Sequence, residues 1–207
     1  MHGQTWLGAA TAFLGMWVLM MVPMMLPSLV PMLGRYRRAV DAGPGVVRLC
    51  GLTVLVGAGY FFMWALLGIG AFPLGVATEA LARHVPVAAS AIPIAAGVIV
   101  LVAGSFQLTA WKMRQLIRCQ EHPPTLGADA LTAWRHGMRL GLHCARCCAN
   151  LMAILMAIGI MDVGAMVAVT AAITVERLAP GGERFARAIG AVAVTAGLFL
   201  IARAARS

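Results

Sequence analysis

The chain has 207 residues, is 61% hydrophobic and only 11% charged, and has a mean hydropathy of +0.89. That balance excludes an ordinary soluble globular domain and reads as an integral membrane protein. A formal net charge of +9 does not indicate nucleic acid, because the 16 Lys and Arg gather in short segments between apolar runs, the pattern that encodes membrane topology.

No Asp, Glu, Lys or Arg occurs from Met1 to Gly34. The segment lacks the basic start of a secretory signal, and its apolar run is longer than a signal core, so it is expected to remain as a membrane helix over about residues 11–33. Pro23, Pro27 and Pro31 lie in its second half, which is expected to be kinked, 3₁₀-like or buried in protein. Two further charge-free runs predict helices over about 49–72 and 87–110. The fourth, about 140–161, opens on a group of cysteines and carries one charge, Arg146. Asp162, Val163 and Gly164 form a tight turn, followed by shorter Ala- and Gly-rich helices over about 165–178 and 186–202, separated by Pro180, Gly181 and Gly182. The expected fold is all-α, a polytopic transmembrane bundle of six helices in one integral membrane domain, residues 1–207.

The basic residues orient this bundle. Arg35, Arg37, Arg38 and Arg48 flank the first loop, Lys112, Arg114, Arg118, Arg135 and Arg139 the third, and Arg177, Arg184 and Arg187 the fifth. These loops are expected in the cytosol and the N-terminus outside. The second loop has only Arg83, while Arg203 and Arg206 at the C-terminus fall on the outer side, a mild departure; five helices would place that end inside.

Sulfur is concentrated in two of the apolar stretches. Cys144, Cys147 and Cys148 stand at i, i+3 and i+4, so on a helix they project from one side within a turn. Met152 and Met156 continue the stripe at four-residue steps, and Met161 and Met166 lie near the outer turn. The first helix carries Met16, Met20, Met21, Met24 and Met25. With that helix running inward and the fourth outward, Met24 and Met25 come to a depth comparable with that of the cysteines. Thiolate and thioether together select Cu(I), and thiolate also suits Zn(II), the second choice. Methionine alone is more often packing than ligand; three cysteines within five residues are harder to explain that way.

Other polar residues nearby have competing readings. His143 is either an additional ligand or an interfacial residue, and Arg146 a snorkelling side chain. Cys144 and Cys147 also form a C-x-x-C at the expected helix start, where the helix dipole and Arg146 favour thiolate, so a redox role stays open. Cys119, beside His122, is a weaker metal candidate in the third loop. Glu176, an intramembrane carboxylate, needs a partner and is the other weaker candidate. Asp162 reads as a turn residue and Cys50 as packing.

These residues resemble a bacterial domain-of-unknown-function family of predicted metal-binding integral membrane proteins, sometimes labelled copper chaperones. The likeness covers most of the chain. A tryptophan-led, Met-rich helix ending in Met-Met-x-Pro corresponds to Met16-Trp17 through Met24-Met25-Leu26-Pro27-Ser28. An aromatic-Gln-x-Thr segment followed by Lys and paired cysteines corresponds to Phe106-Gln107-Leu108-Thr109, Lys112, Cys119 and Pro123. The third and most specific signature, Gly then Cys-x-Gly-Cys-Cys-Trp-x-Leu-Met, corresponds to Gly141, Cys144, Cys147, Cys148, Leu151 and Met152, with Glu176 near the end of the next helix. Gln115 stands where the loop's first cysteine is usual, Arg146 replaces a glycine and Ala149 the tryptophan. The resemblance implies metal binding in the inner membrane of a bacterium and does not imply an enzyme.

The sequence therefore leads to a soft-metal protein, with Cu(I) held by Cys144, Cys147 and Cys148 and secondarily by Met24, Met25, Met152 and Met156. Its partners would be the lipid bilayer, the metal ion and a membrane or copper protein. A membrane thiol-redox protein and a structural subunit of a larger complex are the alternatives. No Ser-His-Asp, paired-carboxylate or phosphate-loop arrangement stands out, and nothing resembles an ATP-binding motif, so movement of the ion would be passive, ion-coupled or partner-driven.

Overall fold

The computed structural model describes residues 6–40, 45–84, 86–120, 127–159, 162–179 and 181–206, and the side chains of these except at 82–91 and 118–120. Cys119 as a ligand, His122 and Met161 thus lie outside the described residues. Among those described, the elements are seven helices: α1 (Trp6–Ala39), α2 (Val46–His84), α3 (Pro86–Gln107), α4 (Ala110–Gln120), α5 (Ala130–Ile158), α6 (Val163–Leu178) and α7 (Gly182–Ala204).

Four stretches are long and apolar enough to cross a membrane, namely Trp6–Ala39, Val46–Leu81, Ala130–Ile158 and Gly182–Ala204. A fifth is broken, Ile92–Gln107 and Ala110–Ile117 being bent by 62°. Among the described residues four to five spans are thus supported, and the sixth expected is not. The helix expected at 165–178 exists, but its 16 residues extend about 24 Å at about 1.5 Å per residue, short of a hydrocarbon core of about 30 Å.

Three boundaries move for physical reasons. α1 runs as one α-helix through Pro23, Pro27 and Pro31, and is not the irregular end expected; Met21, Met24, Met25, Ser28, Leu29 and Met32 on that stretch are buried against protein, while Pro23 and Pro27 lie on the exposed side of the helix. The span expected over 87–110 stops at Gln107. Leu108 and Thr109 donate to the carbonyls of Ser105 and Phe106, tightening the last turn, and Thr109 Oγ1 accepts from the Lys112 amide to start α4. α5 begins ten residues before the expected 140, where Asp129 Oδ2 accepts from the Thr132 amide at 2.8 Å. That hydrogen bond holds the Asp129 carboxyl below the usual carboxylate range. Arg135, His136 and Arg139 hide this first part of α5 from a hydropathy reading without preventing a helix.

The chain divides into two compact units, residues 1–79 with 122–145 and residues 80–121 with 146–207. In the first, α1 meets α2 where Trp17 Nε1 donates to the Trp64 carbonyl at 3.0 Å. Tyr36, Val40, Leu52, Val56 and Ala133 form an apolar cluster from α1, α2 and α5. α5 approaches α2 through glycine: a Cβ on Gly141 would lie 2.8 Å from the Tyr60 carbonyl oxygen.

In the second unit α3 and α7 pack antiparallel over small residues spaced seven apart. A Cβ on Gly97 would meet Ile201 at 2.8 Å, one on Gly104 would meet Ala193 at 2.8 Å, and one on Gly197 would lie 2.6 Å from the Leu101 amide nitrogen. Small residues allow this approach of backbones, which apolar surroundings reward through packing. Asp162 Oδ1 caps α6 at the Ala165 amide, 2.8 Å away, and Gly181, with φ of 76°, turns the chain from α6 into α7.

Replacing Gly197 by Val is expected to force α3 and α7 apart and to lower stability by about 1–3 kcal/mol, the usual cost of overpacking. Thermal unfolding of the detergent-solubilised protein, followed by circular dichroism, measures it.

Candidate functional site

The first unit buries a sulfur pair. Cys144 Sγ on α5 lies 3.9 Å from Met25 Sδ on α1, and the Tyr60 hydroxyl on α2 donates to Cys144 Sγ at 2.9 Å. All three side chains are 0% exposed. Gly141, one turn before Cys144, admits the α2 backbone and so brings Tyr60 onto the thiol. With metal–sulfur bonds of about 2.3 Å, the length of a zinc–thiolate bond, two sulfurs around one trigonal ion stand about 4 Å apart. Cys144 and Met25 already have that separation, and α1 and α5 meet at this point.

The remaining sulfurs differ in placement. Cys147 and Cys148 are buried, and Cys147 packs with Met113, Leu116 and Ala186 of the second unit. Met24 and Met152 are buried, whereas Met156 and His143 are exposed. Cys50, expected in packing, is exposed. Among the described residues no three His, Cys, Asp or Glu side chains are gathered as a metal cluster. The cysteines also stand mid-helix, Cys144 being fourteen residues beyond Ala130. A helix dipole acts within the first turn, so the dipole support expected for a redox C-x-x-C at a helix start is absent, leaving Arg146 as the remaining part of that case.

The second unit buries a charged network within a candidate span. Lys112 Nζ pairs with Glu176 Oε2 at 2.9 Å and donates to the Cys147 carbonyl at 2.5 Å. Gln107 Nε2 donates to Glu176 Oε1, and Asn150 Nδ2 donates to Gln107 Oε1. Lys112 and Glu176 are each 1% exposed. Four helices contribute: Gln107 ends α3, Lys112 begins α4 beyond the bend, Cys147 and Asn150 are on α5, and Glu176 is on α6. Lys112 and Arg177, which flank the third and fifth expected loops, are both buried in helices.

Glu176 needed a partner, and its partner is Lys112. The sequence reading missed this role for Lys112, missed Tyr60, and passed over Asn150. A signal existed for two of them: a tyrosine hydroxyl inside an apolar run requires a hydrogen-bond partner when buried, and a lysine two residues from a helix break can turn inward.

A family model described as a copper chaperone matches residues 14–200. No curated protein and no solved structure matches the chain.

Breaking the ion pair from one side, by Lys112→Met, is expected to destabilise the protein by about 3–5 kcal/mol, because Glu176 stays buried without its countercharge. The double variant Lys112→Met/Glu176→Gln removes both charges and is expected to recover most of that loss. Thermal melts of the two variants beside the wild type measure the difference.

Proposed function

The chain belongs to this copper-chaperone family, PpoB2, and from that premise we propose that it is a membrane-embedded carrier whose cargo is Cu(I). The ion is accepted by Cys144, Cys147 and Cys148, with Met24, Met25, Met152 and Met156 as secondary sulfurs. The observation that supports this most strongly is the buried Cys144–Met25 pair, 3.9 Å apart. Cys147 and Cys148 follow Cys144 on α5 by three and four residues, which keeps them on its side of the helix. A thioether beside thiolates favours Cu(I) over Zn(II). The exposed Met156 and His143 stand at the margin of this set.

The carrier acts in the bacterial inner membrane with its basic segments toward the cytosol, as their clustering favours. It delivers, stores or moves the ion and catalyses no reaction, exchanging it with a membrane or copper-protein partner.

Tyr60 orients the Cys144 thiol. Removing the outer partner of a metal-binding group commonly weakens metal affinity about 10–100-fold. Tyr60→Phe is therefore expected to weaken Cu(I) binding by at least about tenfold while the helical fold persists. Titration of the reduced, purified protein against a Cu(I) chelator, with Zn(II) in parallel, is the test. Stoichiometric Cu(I) binding that disappears when Cys144, Cys147 and Cys148 are all changed to serine is expected. Cu(I) binding that survives the triple change intact would refute the proposal.

A further inference from the structure

The Lys112 network has a feature that charge neutralisation alone does not require. Lys112 and Glu176 already satisfy each other's charge at 2.9 Å, yet the ammonium is also held at 2.5 Å on a main-chain carbonyl, and the carbonyl is that of Cys147. Carbonyls inside α5 accept along the helix in any case, so this is a second hydrogen bond, to one chosen turn. The other members hold the ammonium's partner in place. Gln107 bonds the second oxygen of Glu176, and Asn150, one turn beyond Cys147 on α5, bonds Gln107. The chain of contacts thus leaves α5 at Cys147, passes through α4, α6 and α3, and returns to α5 at Asn150. It closes around the turn that carries Cys147 and Cys148.

The bend between α3 and α4 makes this closure possible. A straight continuation past Gln107 would carry residue 112 further along the α3 axis, whereas the 62° turn at Leu108 and Thr109 starts a new helix. Thr109 Oγ1, accepting from the Lys112 amide, fixes that start. Discontinuous membrane helices with polar groups at the break are a recurrent way of building ion and substrate sites.

We propose that Lys112 is a positioning residue for the cargo site: braced by Glu176, Gln107 and Asn150, its ammonium clamps the Cys147 carbonyl and presets the α5 turn bearing Cys147 and Cys148. This rests on the copper reading above for its purpose. A preset turn spares the ion the cost of ordering its own ligands, the general advantage of preorganisation. Lys112 acts through the backbone of α5 and does not itself touch the ion.

The test uses the full chain in detergent and the charge-free pair Lys112→Met/Glu176→Gln, which avoids an unpaired buried charge. Two quantities are read. The first is the rate at which N-ethylmaleimide labels each cysteine of the metal-free protein, resolved by mass spectrometry. Labelling of Cys147 and Cys148 is expected to accelerate at least about tenfold, on the scale by which outer partners affect metal sites, with Cys144 unchanged as the internal control. The second is Cu(I) affinity against a chelator, expected to fall by about the same factor. Cys147 labelling equal to wild type, or equal acceleration at Cys144 and Cys147, would overturn the clamp; the latter marks a general loosening of the fold. Asn150→Leu, which removes one brace and leaves the ion pair, supplies the same comparison should the double variant not assemble, and unchanged Cys147 labelling there would likewise overturn it. Wild-type protein that binds no Cu(I) would sink the proposed function, while the labelling of metal-free protein would still decide the clamp.

Discussion

An ammonium and a carboxylate enclosed by apolar helices leave little freedom to the structure around them. Lys112 and Glu176 are almost wholly buried, so each charge is tolerable only with the other beside it and with its remaining hydrogen-bonding capacity satisfied. Those requirements recruit Gln107, Asn150 and the Cys147 carbonyl, and thereby tie α3, α4, α5 and α6 to one point. The bend between α3 and α4 and the 16-residue α6 accompany this pair in the same unit, Lys112 standing just beyond the bend and Glu176 near the end of α6. Tight contact of α3 with α7 through Gly97, Gly104, Gly190 and Gly197 then closes the remaining side. Replacing such a pair by neutral groups usually costs little stability, which makes its attachment to a cysteine turn more informative than its contribution to folding.

The first unit solves a different problem with neutral groups. Cys144, Met25 and Tyr60 come together fully buried, with the phenol donating to the thiol and the thiol facing the thioether. Each contact depends on a local feature: proline-bearing α1 presents Met25 toward protein, and glycine at 141 removes the side chain that would hold α2 away. Soft ligands in an apolar setting suit a soft monovalent ion, whose modest charge is the least expensive to keep away from water among the metals that sulfur selects.

Much of this was legible in the sequence, and the losses have identifiable causes. Apolar runs gave the all-helical class and located α1, α2, α5 and α7, because a span must be long and nearly free of charge. The same rule failed where charge is neutralised internally. Lys112 read as a loop-flanking residue beyond a span although it is buried, and Arg135 and Arg139 concealed the first turns of α5. Placing the cysteines at a helix start followed from that error, and with it the helix-dipole part of the case for redox chemistry. Cys144, Cys147 and Cys148 do lie on one helix, α5, as their spacing predicted, but spacing within a helix is silent about its neighbours. Met25 beside Cys144, Tyr60 above them and the Gln107–Asn150 bridge are products of packing, and in the sequence Tyr60 and Asn150 are single polar residues in apolar runs.

We propose that buried sulfur on α5 and α1 receives Cu(I). X-ray absorption at the copper edge, on reduced protein loaded with stoichiometric Cu(I), addresses it directly. A first shell made only of sulfur, changed in Cys144→Ser and in Met25→Leu, is the predicted result. A shell of nitrogen and oxygen, or a sulfur shell indifferent to both substitutions, would contradict it.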